Sequence, residues 1–333
     1  MVPFVAAGGI LIAVAFLVDG MSVNLEALSA EERANFGSIT PLAASLKDVG
    51  SAAYNFMLPV FAAFFARGLG GEEAFMSGFA GGYLASQSSA GFLGAIFCAV
   101  VSAVVCNLMR GIIDESPKTV QRVAPILIYP LFSLTIMYLI LRLLLEPLAG
   151  LIDAQLTAML MALRDSDSQE LLGAALGAMM ATDMGGPINK CAYHFGLAAI
   201  DAGAYQTMAQ VMVAGMVPPC GIAFAMLAFP TRFSRAERDR GAATLIMGLG
   251  FITEGAIPFA ITDPIRIIGA SMAGSAAAAV VSSSLGCTLM APHGGIFVFP
   301  VVGNPLGYAT ALFAGSALSA LILGRTRPAL EDA

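Results

Sequence analysis

Charge is what this sequence has least of. Only 11% of its 333 residues are Asp, Glu, Lys or Arg, less than half of the roughly 25% usual in a soluble domain. A water-soluble globular fold is excluded on that ground. The five cysteines (Cys98, Cys106, Cys191, Cys220 and Cys287) lie in apolar runs without metal-type spacing, so they read as small buried hydrophobes. No metal and no cofactor is expected. There is no nucleotide-binding glycine loop, no soluble domain, no low-complexity linker and no convincing internal repeat, and nothing suggests a nucleic-acid partner. The run from Met1 to Val18 lacks the basic start and the small-residue cleavage site of a signal peptide. It begins abruptly, with Pro3 almost at the first residue, and the chain is expected to start inside its first helix, as a fragment or as a separately encoded membrane domain.

What is there is apolar: 58% of the residues are hydrophobic and the mean hydropathy is +0.84. Several windows approach or exceed the ~20 residues that cross a hydrocarbon core. The fold class expected is an all-α polytopic membrane protein with re-entrant or broken segments. Spans are expected at 3–18, 50–66, 91–109, 124–145, 205–229, 267–289 and 306–323, with a weak one at 75–87. With the broken segments this makes about eight full crossings plus re-entrant arms, or about ten if the arms are counted. The stretch from Asp19 to Asp48, with Glu26, Glu31 and Glu32, is too polar to span and suits at most a surface amphipathic helix. From Pro147 to Leu163, helical periodicity with polar breaks suits a helix lying along an interface. The formal net charge of -6 says less than the placement of Lys and Arg. The most basic loop, with Arg232, Arg235, Arg238 and Arg240, is assigned to the cytoplasm together with Arg67, Arg110, Lys118, Arg122, Arg325 and Arg327.

Three polar islands interrupt the apolar chain. In MGLGFITEGAIPFAITD, Glu254 is a lone carboxylate in a run broken by Gly250, Gly255 and Pro258. An ionisable group at membrane depth marks a substrate or ion path by default, and irregular backbone survives there only where protein buries it or a watery cavity lines it. Asp263 and Arg266, three residues apart, suit a local ion pair at a helix start. In ATDMGGPINKCAYHFG, Asp183 and Lys190 are placed to neutralise one another across the Gly185-Gly186-Pro187 turn, Asn189 offers an amide, and His194 reads as a packed neutral histidine. In APHGG, Pro292 and the glycines rule out a regular helix, so backbone groups of Gly294 and the ring of His293 can face a ligand, and His293 is suited to take a proton near neutral pH. This inventory fits a neutral polyhydroxylated solute such as a sugar. It also fits ion-coupled secondary transport, since Glu254 and His293 both titrate. Composition alone does not choose.

The segments TDMGGPINKCAYHFG, GMVPPCGIAF, GLGFITEGAIPFA with DPIR, and GCTLMAPHGGIFV, in this order, resemble the membrane-embedded IIC component of fructose-type sugar phosphotransferase systems. The early PFVAAGGILIA and AAYNFMLPVFAAF are similar too, so the resemblance covers nearly the whole chain. It implies one IIC domain over residues 1–333, with 1–170 mainly a dimerising scaffold and 171–333 mainly the substrate-binding transport part. The implied protein is a homodimeric permease of the bacterial inner membrane. It binds fructose or a related hexose and presents it to the phosphocysteine of a phosphorylated IIB partner. Carried over by motif, Glu254 accepts hydrogen bonds from sugar hydroxyls, and His293 is the general base or orienting group at the reacting hydroxyl. Asp183, Asn189, Lys190, Thr253 and Gly294 complete the implied substrate contacts. Cys191 and His194 stand where the family is expected to have small residues and inherit no role. The phosphocysteine motif of IIB and the phosphohistidine domain of IIA are absent from the sequence. The chain is therefore expected to act as part of a sugar phosphotransferase only with its partner, the missing parts being separate proteins or encoded upstream of Met1.

Overall fold

The computed structural model describes residues 2–23, 35–88, 90–166, 168–291 and 293–330. Glu26, Glu31, Glu32 and Pro292 lie outside the described residues. The helices in order are α1 (Val2–Ser22), α2 (Pro41–Asn55), α3 (Met57–Gly70), α4 (Glu73–Ser86), α5 (Gly91–Asp114), a helical run α6 (Lys118–Asp165), α7 (Gln169–Thr182), α8 (Pro187–Asp201), α9 (Tyr205–Ala228), α10 (Gly241–Leu249), α11 (Ile257–Thr262), α12 (Pro264–Ser284) and α13 (Pro305–Thr326). Among the described residues there is no β-strand, and Leu289 and Val302 form an isolated bridge. The protein is an all-α polytopic membrane protein. By length and composition, six described runs are long and apolar enough to cross a membrane: Pro41–Gly70, α5, α6, α9, α12 and α13. Helices α4, α7, α8, α10 and α11 have 14, 14, 15, 9 and 6 residues, short of the ~20 a crossing needs; they are the weak spans and broken arms of the sequence.

Two compact units divide the chain: residues 1–4 with 53–154, and residues 5–52 with 155–333. Residues 5–52 thus group with the carboxy-terminal half, although the resemblance assigns them to the amino-terminal one. In the first unit α3, α4 and α5 pack on one another, and α4 and α5 also pack on residues 129–140 of α6. Small residues permit it: a Cβ at Gly82 would lie 2.5 Å from the Leu58 carbonyl oxygen. The end of α3 is closed from α5, since Asn107 donates to the Leu69 carbonyl at 3.1 Å and Arg110 to that of Gly70 at 2.9 Å. These are carbonyls that a helix end cannot satisfy by itself. Arg110 also pairs with Glu73 at 2.9 Å.

The run α6 has 48 residues, so the stretch from Pro147 to Leu163 continues the preceding span as one helix. Its backbone widens into π turns over Ala124–Ile128 and Leu141–Leu145, upstream of Pro130 and Pro147. A proline has no N–H for the carbonyl four residues back and its ring crowds that carbonyl; here those carbonyls belong to Ile126 and Leu143, inside the π turns. The widened turn absorbs both effects.

In the second unit α9 is central, with α7, α12 and α13 packed round it. Every residue from Thr207 to Ala223 is buried. That explains its lack of amphipathic periodicity, since a helix apolar all round is enclosed on all sides. Asp19 corrects the expectation of a polar surface stretch. It is fully buried at the end of α1, and its carboxylate accepts from the backbone N–H groups of Ile39 (2.8 Å) and Thr40 (2.9 Å) and from the Thr40 hydroxyl (2.6 Å). The acid fixes the start of α2, so residues 41–48 join a membrane-length run instead of a surface helix.

Candidate functional site

The break between α7 and α8 is held by its own polar side chains. Asp183 follows the last residue of α7, and its two carboxylate oxygens accept from the N–H groups of Ile188 (2.8 Å) and Asn189 (2.9 Å), orphan donors in the first turn of α8. The Asn189 amide donates to the Met180 carbonyl at 2.6 Å, closing the end of α7. Asp183 and Asn189 therefore pin the turn. Lys190 lies in the field of both Asp183 and Glu254. This is a wider arrangement than the simple Asp183–Lys190 pair expected across the turn. Gly185, with φ +108°, backs onto the Glu254 carboxylate, where a Cβ would lie 3.0 Å from Oε1. The first and second polar islands therefore adjoin.

His194 corrects its expectation. On α8 the buried residues are Asn189, Cys191, Ala192, Phe195 and Gly196, one helical face, and position 194 turns away from it, leaving His194 exposed beside Tyr193. The five cysteines are buried and none is in a disulfide.

The Glu254 segment leaves α10 through a left-handed turn. Ile252 N–H bonds to the Met247 carbonyl (2.8 Å) and Phe251 N–H to that of Gly248 (3.1 Å), the pattern of a helix ended by a residue with positive φ. That residue is Phe251 (φ 62°) although Gly250 is next to it. Among the described residues, the non-glycine residues with positive φ are Phe251 and Met184, one at each break. A bulky left-handed residue costs ~1–2 kcal/mol and persists only where its surroundings hold it. What holds Phe251 is packing. A Cβ at Gly215 of α9 would lie 2.6 Å from its Cε2, and one at Gly294 would lie 2.4 Å from its Cδ2. After Phe251, Thr253–Ala256 makes a 3-10 turn that presents Glu254, half-buried. The Thr253 hydroxyl donates to the Gly215 carbonyl at 2.6 Å.

The third island comes to the same place. Phe251 meets the His293 ring edge-on at 5.4 Å, and Phe16 of α1 stacks on its other side at 4.6 Å. His293 Nδ1 lies 2.6 Å from the Gly294 carbonyl. A carbonyl only accepts, so Nδ1 carries a proton, and in the neutral ring Nε2 is then the nitrogen with the lone pair. Phe16 and Lys47 are neighbours of the site that the polar islands did not include. The Lys47 ammonium donates to the Phe36 carbonyl at 3.1 Å, lies 5.4 Å from the Phe16 ring centre, and reaches His293 electrostatically. Asp263 pairs with Arg266 at 3.3 Å as expected, and Arg327 joins it, 3.4 Å from Asp263 and 3.1 Å from Glu237. Among the described residues no cluster suits a metal ion.

Broken helices that gather a carboxylate, a lysine and a histidine, in a chain with membrane-length helices, define a membrane transport protein with polar residues on interrupted segments. The chain belongs to the family described as "Phosphotransferase system, EIIC", whose profile matches residues 1–274. It is 38% identical over 326 residues to the "PTS system fructose-specific EIIABC component" of Bacillus subtilis (strain 168), which covers 97% of this chain and 50% of that protein. It is 39% identical over 292 residues to the "Fructose permease IIC component" of Bacillus amyloliquefaciens, covering 87% of this chain and 95% of the relative. A third relative, the "PTS system fructose-specific EIIB'BC component" of Rhodobacter capsulatus, is 40% identical over 326 residues, 97% of this chain and 54% of its own length. The chain thus spans about half the length of the first and third relatives and nearly all of the second. No solved structure matches it.

Proposed function

We propose that this chain is the sugar-translocating subunit of a fructose-type phosphotransferase system, working as a homodimer in a bacterial inner membrane. Glu254 accepts hydrogen bonds from the hydroxyls of fructose or a related hexose, and Lys190 holds the local charge near neutral. His293 Nε2 takes the proton of the reacting hydroxyl. The hydroxyl oxygen forms the new bond to phosphorus as the sulfur–phosphorus bond of a IIB phosphocysteine breaks, and the thiolate leaves on the partner. Phosphoryl transfer is mainly positioning and charge stabilisation, so a base and a held hydroxyl are the demands on this subunit. Asp183, Asn189 and Gly294 frame the sugar. In this reading the unit of residues 5–52 and 155–333 carries the sugar, and the other unit is mainly scaffold and dimer contact.

One observation carries the reading: the Glu254 segment, seated on Gly215 of α9, touches both of the other polar segments, Gly185 of the Lys190 break at its carboxylate and His293 through Phe251. The names of the relatives support fructose and a IIB partner. The test is uptake of labelled fructose by vesicles holding this chain, with and without phosphorylated IIB. Fructose phosphate appearing only with the partner is the expected result. Accumulation of unmodified sugar driven by a proton gradient alone would overturn it in favour of an ion-coupled transporter.

A further inference from the structure

Helix α9 carries Pro218 and Pro219 in its interior. Neither can donate to the carbonyl four residues back, so the carbonyls of Ala214 and Gly215 lack helical partners in a fully buried stretch. Each is met by a hydroxyl from another element. Ser275 of α12 donates to Ala214 at 2.9 Å, and Thr253 donates to Gly215 at 2.6 Å.

The two repairs differ in what they carry. Ser275 lies mid-helix, away from the polar segments. Thr253 is the residue before Glu254. Its anchor, Gly215, also lacks a side chain where the Phe251 ring and the Met180 methyl group pack; a Cβ there would lie 2.6 Å from Phe251 and 3.0 Å from Met180. Phe251 packs on His293, and the Met180 carbonyl holds Asn189. One notch in α9, made by the absent Cβ of Gly215 and the absent N–H of Pro219, thus receives Thr253 and Phe251 of the Glu254 segment and Met180 of α7 directly, and His293 and Asn189 are reached through Phe251 and Met180.

We propose that Thr253 is a positioning residue, resting on the reading of Glu254 and His293 as sugar contacts. Its single hydroxyl proton is committed to the Gly215 carbonyl, and that bond sets Glu254 in register with His293. The proline pair is what makes the seat available, since an ordinary residue at 219 would occupy the same carbonyl.

The test uses the full chain purified in detergent, with melting temperature and labelled-fructose binding as readouts. Thr253→Val leaves the Gly215 carbonyl bare and should lower both. Pro219→Ala supplies an N–H, so the double variant Thr253→Val with Pro219→Ala should melt close to the unmodified protein yet bind fructose about ten-fold more weakly, the scale of one displaced hydrogen-bonding group. Thr253→Ser should recover most of the affinity lost by Val. Ser275→Ala should lower the melting temperature and leave affinity unchanged. A double variant that binds fructose as tightly as the unmodified chain would overturn the proposal, as would purely additive melting shifts. If the unmodified chain binds no fructose, the functional reading fails, and the melting coupling by itself then upholds or overturns the Thr253 seat.

Discussion

In α6, Pro130 and Pro147 deprive the carbonyls of Ile126 and Leu143 of their usual donors, and the helix answers by itself. It widens into π turns in which the N–H groups of Tyr129 and Glu146 reach back five residues, to Ala124 and Leu141. In α9, Pro218 and Pro219 do the same to Ala214 and Gly215, the helix stays α throughout, and α12 and the Glu254 segment supply the donors. The surroundings account for the difference. Ile126 and Leu143 are 83% and 74% exposed, and the turns around them keep their bonds within the helix. Ala214 is fully buried and has neighbours within reach. A local repair leaves a helix self-contained. A repair across elements makes the helix depend on where its neighbours stand, which suits a site whose parts have to keep register.

The largest effects should come from the groups this register serves. His293→Ala removes the proposed base and should lower partner-dependent phosphorylation by about 10²–10⁴-fold, with much of the fructose binding retained. Equal losses in both readouts would make His293 a binding group only. Glu254→Gln keeps the shape and removes the charge. A hydrogen bond to a charged group contributes ~1.5–3 kcal/mol, so fructose affinity should fall by about 10–100-fold in a binding titration. Unchanged affinity would mean that Glu254 faces something other than the sugar.

How far the sequence discloses this arrangement depends on what each residue type can signal. The all-α class, the break at Gly185-Gly186-Pro187, the irregular backbone at Gly294-Gly295 and the Asp263–Arg266 pair follow from charge scarcity and from glycine and proline placement, which act locally. Register does not. The usual rule gives the left-handed position after α10 to Gly250, yet Phe251 takes it, because its ring is wanted at Gly215 and Gly294, residues far away in the chain. The resemblance offers Thr253 as a substrate contact beside Glu254. Its bond to Gly215 becomes visible only when Pro219 is seen to have freed that carbonyl. Asp19 and Lys47 were hidden for a related reason: a charged residue in a mixed stretch reads as solvated until its partners, Thr40 and Phe36, fold back onto it.

Smaller effects should follow from damaging the notch and the turn beside it. Gly215→Ala adds a methyl group where Phe251 and Met180 already pack, and overpacking of this kind costs ~1–3 kcal/mol. A lower melting temperature should accompany weaker fructose binding, since Phe251 is the contact that has to yield. Asp183→Ala strips the acceptor from the first turn of α8 and should cost about 0.5–2 kcal/mol. Added fructose should recover part of that loss if the turn belongs to the sugar site, because a ligand that binds only the folded state raises its stability. No shift with fructose would make Asp183 a structural cap alone.

Pro147→Ala should have the smallest effect, and it tests the other side of the comparison. The substitution restores an N–H to a helix that has already accommodated its absence within one turn, and no side chain from elsewhere is released. The change in stability should stay within about 0.5 kcal/mol, and fructose binding and partner-dependent phosphorylation should not move. Pro219→Ala differs because the N–H it restores competes with Thr253 for the Gly215 carbonyl. Alone, it should therefore weaken fructose binding without lowering the melting temperature. If the two alanine substitutions behave alike in the binding assay, the prolines of α9 are no more tied to the site than those of α6, and the distinction between local and cross-element repair loses its functional meaning.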